Sequence, residues 1–126
     1  MAFVNLNKTN IGVETGKSSI VIIRDLGDLV GGRALNVEAW TEDVVKAGHV
    51  IVQNDSTKEY LPLAVSGNAY VSVPSGHTCV GVLKVDVLKS KAFAPILTFG
   101  QVNAAASPYP VTAEIKEALP NIQFMY

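Results

Sequence analysis

The apolar residues of this chain come in short β-branched runs, such as Ile20-Val21-Ile22-Ile23 and Val50-Ile51-Val52, separated by glycine, proline or clusters of Asn, Asp, Ser and Thr. Runs of this length are strand material and fall far short of the roughly 18 to 20 apolar residues that a membrane-spanning helix needs. No part of the chain is therefore expected to cross a bilayer. Seven or eight such strands at regular spacing predict a mostly β fold, a compact β-sandwich or barrel-like domain.

Taken in order, residues 19–24 read as a strand closed by a turn at Asp25-Leu26-Gly27-Asp28, and Gly31-Gly32 leads into a half-buried strand over 33–40. Residues 49–53 and 59–63 flank the polar Asn54-Asp55-Ser56-Thr57 and read as a hairpin. A short strand over 70–73 stops at Pro74-Ser75-Gly76. The alternation in 77–87 sets Cys79, Gly81, Leu83, Val85 and Val87 on one side of a central strand. Residues 94–99 form another strand, with Gly100 permitting a turn or bulge before Gln101-Val102-Asn103.

One short C-terminal helix is expected over 113–119, with Thr112 as its N-cap, Glu114 near its positive end and Pro120 ending it. At about two turns it must dock Ile115 and Leu119 on the sheet to persist. Residues 122–126 read as a closing strand. The opening segment, 1–17, intersperses Phe3, Val4, Leu6, Ile11 and Val13 with Asn, Thr and Gly, which suits an extended N-terminal arm. Residues 18–126 then form a single β-rich domain, as 126 residues are too few for two well-buried cores.

Composition narrows the function. Hydrophobic residues make up 48% and charged ones 17%, so a core is available and the self-repelling profile of a disordered chain is missing. Ten Lys and Arg against eleven Asp and Glu give a net charge of −1 with no basic stripe, which argues against nucleic acid as a partner. Residues 1–10 lack a secretory signal pattern, so synthesis and use without export through that route are expected. Cys79 is the only cysteine, so no intrachain disulfide can form, and its apolar neighbours make it a small buried hydrophobe.

Constellations of residues that carry chemistry are incomplete. Gly12-Val13-Glu14-Thr15-Gly16-Lys17-Ser18 looks like a phosphate-cradling loop, but Ile11 stands where its first glycine belongs, and a strand rather than a helix is expected after it. His77 and Cys79 share one side of a strand, yet a zinc site needs a third ligand and only His49 remains. No nucleophile-elbow serine is present, and Glu42 and Asp43 are adjacent, which suits solvated charges. The expectation is a protein that is not an enzyme, with no catalytic, cofactor-binding or metal-binding residues.

The most distinctive stretch is Ala94-Pro95-Ile96-Leu97-Thr98-Phe99-Gly100-Gln101-Val102-Asn103, followed by Ser107-Pro108-Tyr109-Pro110, the short helix and Ile122-Gln123-Phe124. Upstream stand Lys46-Ala47-Gly48-His49-Val50-Ile51, then Tyr60-Leu61-Pro62-Leu63, then Gly81-Val82-Leu83 with Asp86-Val87. In order and spacing these resemble the head decoration proteins of tailed bacteriophages of the lambda type, over residues 33–126. The block at 18–32 departs from the simpler members and is similar to blocks in phage head-fibre proteins, whose base resembles the same domain.

The resemblance implies a structural virion protein on the outer capsid surface. Its partner would be the major capsid protein, which it would cement as a homotrimer over threefold positions. A strand-like arm carrying Phe3, Val4, Leu6, Ile11 and Val13 suits addition to an exposed capsid sheet edge. Trp40 and Tyr109 are expected at a subunit interface or as surface aromatics. The alternatives are the base of a head fibre, or a receptor- or carbohydrate-binding module displayed on the capsid through loops such as Val65-Ser66-Gly67-Asn68, with Trp40, Tyr60, Tyr70 and Tyr109 on its face.

Overall fold

A run that is apolar at every position can form a strand only if both faces of its sheet are covered. In the computed structural model, which describes residues 18–125, this is the situation of the centre of the fold. β1 (Ile22–Asp28), β4 (Val50–Asn54), β5 (Tyr60–Pro62), β8 (His77–Leu83), β11 (Ile96–Asn103) and β12 (Ile122–Met125) form one sheet. Its order is β1-β11-β8-β4-β5, with β12 parallel to the second half of β11 and the other pairings antiparallel. The fold is mostly β, and the sheet is open rather than closed into a barrel.

The two faces bury different side chains. Val50, Val52, Val82, Leu97 and Val102 join Leu63, Tyr70, Ile115, Leu119 and Ile122 in one apolar cluster, while Ile51, Leu83 and Ile96 join Leu35, Val45, Val87 and Ala94 in a second. The first is roofed by the C-terminal helix α2 (Ala113–Ala118), which docks Ile115 and Leu119 as its short length requires. The second is roofed by two ribbons. One pairs β2 (Arg33–Ala34) with β10 (Phe93–Ala94), and the other pairs β3 (Val44–Val45) with β9 (Val87–Leu88). A third ribbon pairs β6 (Val65–Ser66) with β7 (Ala69–Tyr70).

Several expected strands change length for identifiable reasons. Residues 18–21 form a helical turn, α1 (Ser18–Val21), and β1 starts at Ile22 and runs through the expected turn at 25–28. There Asp25 and Asp28 both pair with Lys84, and Asp28 lies 2.7 Å from its Nζ. The strand expected over 33–40 is ladder-paired only at β2. Beyond it Leu35 bridges Tyr60, the Asn36 side chain accepts the Glu38 amide at 3.2 Å, and Trp40 N donates to Val37 O at 3.0 Å, which turns the chain. The central strand stops at Leu83; beyond it Lys84 N still donates to Pro95 O at 3.1 Å, and the Asp86 carboxylate accepts the Ala47 amide.

The expected alternation in β8 is also broken. Ile51 pairs with Gly81 but Val52 with Cys79, so Val80 is an extra residue, and Cys79 and Leu83 end in opposite clusters. At Gly81 an added Cβ would lie 2.0 Å from the carbonyl oxygen of Leu97, which only glycine allows.

Candidate functional site

Residues 47–49, 86 and 107–109, far apart in sequence, meet in space. Gly48 adopts φ +89°, a left-handed conformation, to turn the chain into β4, and an added Cβ there would meet Val21 at 2.5 Å and Pro108 at 3.3 Å. The turn is pinned from a third segment, since Ala47 N donates to the Asp86 carboxylate at 2.7 Å and Gly48 N donates to Leu83 O at 2.7 Å. From the C-terminal segment, the Asn103 side chain accepts the Ala105 amide at 3.1 Å and starts the 3₁₀ turn Ala104–Ala106, which delivers Ser107, Pro108 and Tyr109 to this place.

His49 lies at the centre, fully buried. Its Nε2 is 2.8 Å from the carbonyl oxygen of Leu63. A carbonyl can only accept, so Nε2 carries the proton, and Nδ1 is an acceptor with no hydrogen-bond partner among the described residues. Three aromatic rings meet the imidazole edge-on, those of Trp40 at 4.8 Å, Tyr70 at 5.1 Å and Tyr109 at 5.8 Å between centroids. Burial lowers the His49 pKa to about 4, with the Leu63 contact opposing it, so the ring is neutral near pH 7.

The surrounding polar atoms are tied to backbone. Trp40 Nε1 donates to Val44 O at 3.0 Å, and Lys89 Nζ donates to Trp40 O at 2.6 Å. The Tyr70 hydroxyl accepts the Val50 amide at 3.2 Å, and burial holds its phenol well above the ordinary range. Tyr109 is only half-buried, and its pKa is also raised, by desolvation first and by Glu42 second.

Trp40 and Tyr109, read from the sequence as interface or surface aromatics, therefore stand together as half-buried walls around His49. Tyr60 lies apart from this cage, beneath the Arg33 guanidinium at 5.8 Å. Nothing in the sequence marked His49 as a centre, because its three aromatic neighbours are distant along the chain. The arm residues Phe3, Val4, Leu6, Ile11 and Val13, and the glycine-rich segment 12–17, lie outside the described residues.

His77 turns its Nδ1 to Ser75 O at 3.2 Å, and Cys79 is buried with its thiol pKa raised by burial first and by Glu114 second. Among the described residues no group of three His, Cys, Asp or Glu side chains is placed to hold a metal ion. No helix among them is long and apolar enough to cross a membrane. In comparisons with known proteins, the chain matches no family model, no curated protein and no solved structure.

Proposed function

We propose that this chain is a structural virion protein that binds the outer surface of a phage capsid as trimers and stabilises the shell without chemical turnover. The observation that carries the reading is the convergence of the resembling segments. Ala47-Gly48-His49, Asp86 and Ser107-Pro108-Tyr109 are separated in sequence yet interlock at one place. Their order thus corresponds to one structural unit, and each residue has a physical task there: close approach at Gly48, amide capture at Asp86, ring packing at Tyr109.

A fold of this kind suits cementing. The sheet is covered on both faces, which leaves its edges and loops for partners. Many identical contacts repeated over a shell add through avidity, and a protein that binds only the assembled shell raises its stability by mass action.

The test uses shells of the major capsid protein from the same genome, prepared with and without this chain. Sedimentation should show this chain bound to the shells, and calorimetry should show bound shells melting at higher temperature. Shells that fail to bind it, or that resist heat equally well without it, would remove the reading.

A further inference from the structure

We propose that the outer edge at β1 is a self-association surface, in which a strip formed by Ile20, Ile23, Leu26 and Phe99 packs against the same strip of further copies of this chain. This deepens the trimeric part of the proposed function by naming the face that copies share.

The first observation is the register of β1. Ile22 pairs with Val102 and Arg24 with Gln101, so Ile23 is an extra residue; Asp25 pairs with Gly100 and Gly27 with Phe99, so Leu26 is another. Ile23 and Leu26 thus hold equivalent positions in two successive bulges, three residues apart. Both are thrown out of the ladder, at 48% and 56% exposure, and Ile20 one step earlier is 53% exposed. Phe99, paired with Gly27, the residue after Leu26, is 53% exposed. A strand that met only water would carry polar residues at such positions.

The second observation is area. At roughly 150 to 250 Å² for a whole aromatic side chain and somewhat less for an aliphatic one, four half-exposed side chains offer on the order of 400 Å² of apolar surface. A standard interface takes about 800 Å² from each partner, a little over half of it apolar. Around a threefold axis three such strips converge, each meeting the other two, so the strip supplies the apolar centre of the contact and the flanking surface supplies the rest of its area.

Charge favours a second copy as the occupant. Arg24, exposed between Ile23 and Asp25, has no ion-pair partner among the described residues, whereas Asp25 and Asp28 remain over a third exposed although both pair with Lys84. The strip thus carries a cation and the carboxylates that would receive it from a neighbour, and a net charge of −1 gives copies little reason to repel. The bulges interrupt the regular ladder that strand addition would extend, so the contact is through side chains.

Sedimentation of the full chain, from about 1 µM to on the order of 100 µM, tests this. The parent should associate reversibly, and Ile23→Asp with Leu26→Asp should weaken association by about 100-fold. A milder Ile23→Ser, Leu26→Ser pair serves if the acidic pair loses its native Trp40 emission. Arg24→Glu should weaken association about tenfold while Arg24→Lys keeps most of it.

Equal association by parent and variants would overturn the proposal. So would a parent that stays monomeric throughout, which would mean that residues 1–17 or another protein covers the strip. Shell binding by the same samples separates the two readings. A chain that self-associates through the strip but ignores shells removes the capsid reading alone, and full shell occupancy without strip-dependent association removes this one alone.

Discussion

His49 donates from Nε2 to the carbonyl oxygen of Leu63 across 2.8 Å, and this one contact fixes the tautomer of the neutral ring, whose buried Nδ1 has no hydrogen-bond partner among the described residues. Its pKa of about 4 in the folded chain, against an ordinary value of 6.5, ties stability to pH. Above pH 6.5 both folded and unfolded forms are neutral and the full stability is present. As pH falls from 6.5 towards 4 only the unfolded chain takes up the proton, so stability declines by about 1.4 kcal/mol per pH unit, about 3 kcal/mol in all. Urea unfolding across this range should show that slope in the parent and its loss in His49→Leu. Emission from Trp40, whose ring touches the imidazole, titrating in the folded protein near pH 6.5 would contradict the neutral assignment.

Gly81→Ala should prevent the native sheet from forming. A Cβ 2.0 Å from Leu97 O and 3.0 Å from Leu97 C meets backbone, which cannot rotate away, so β8 and β11 would have to part. The expected loss exceeds about 3 kcal/mol. A variant melting within a few degrees of the parent would show that the two strands do not pack as closely as described.

Thr112→Ala should cost about 1 kcal/mol, because the Thr112 hydroxyl accepts the Ile115 amide at 3.3 Å and α2 is too short to persist without its cap and its docked Ile115 and Leu119. Thr112→Ser keeps the oxygen and should retain most of the stability. Equal losses in both variants, measured by urea unfolding, would assign the effect to the methyl group instead of the cap.

Removing residues 1–13 should lower shell occupancy while leaving the thermal midpoint of the domain unchanged. Phe3, Val4, Leu6, Ile11 and Val13 give this segment strand character, and ordering each residue costs roughly 1 to 2 kcal/mol in backbone entropy that contacts with the capsid must offset. Unchanged occupancy would mean that the domain alone holds the shell.

Much of the fold was legible because its signals are local. The hairpin of β4 and β5 followed from two apolar runs around Asn54-Asp55-Ser56-Thr57, and α2 from a capping threonine, a short amphipathic stretch and Pro120. The closing strand expected over 122–126 is present as β12 over Ile122–Met125. Each of these depends on residues a few positions apart, where side-chain chemistry acts directly on the neighbouring backbone.

The phase of the strands was not legible. Extra residues at Ile23, Leu26, Val80 and Thr98 each reverse which face the following side chains meet, and each exists only because a partner strand pairs past it. Strict alternation therefore placed Cys79 with Leu83, which lie in opposite clusters, and a turn was expected at 25–28, where Lys84 holds two aspartates along an edge strand.

The candidate site divides in the same way. By its own sequence the chain determined most of the short runs that become strands and the capped helix, whereas the need for glycine at 48 and 81 comes from Val21, Pro108 and Leu97 across the fold. Tertiary structure alone decided that Trp40, His49, Tyr70 and Tyr109 form one cage and that Ile23 and Leu26 face outward. Those placements depend on the register between distant segments, and register is set by how well both faces of the sheet bury their apolar side chains together, a sum over the whole fold that no local stretch contains.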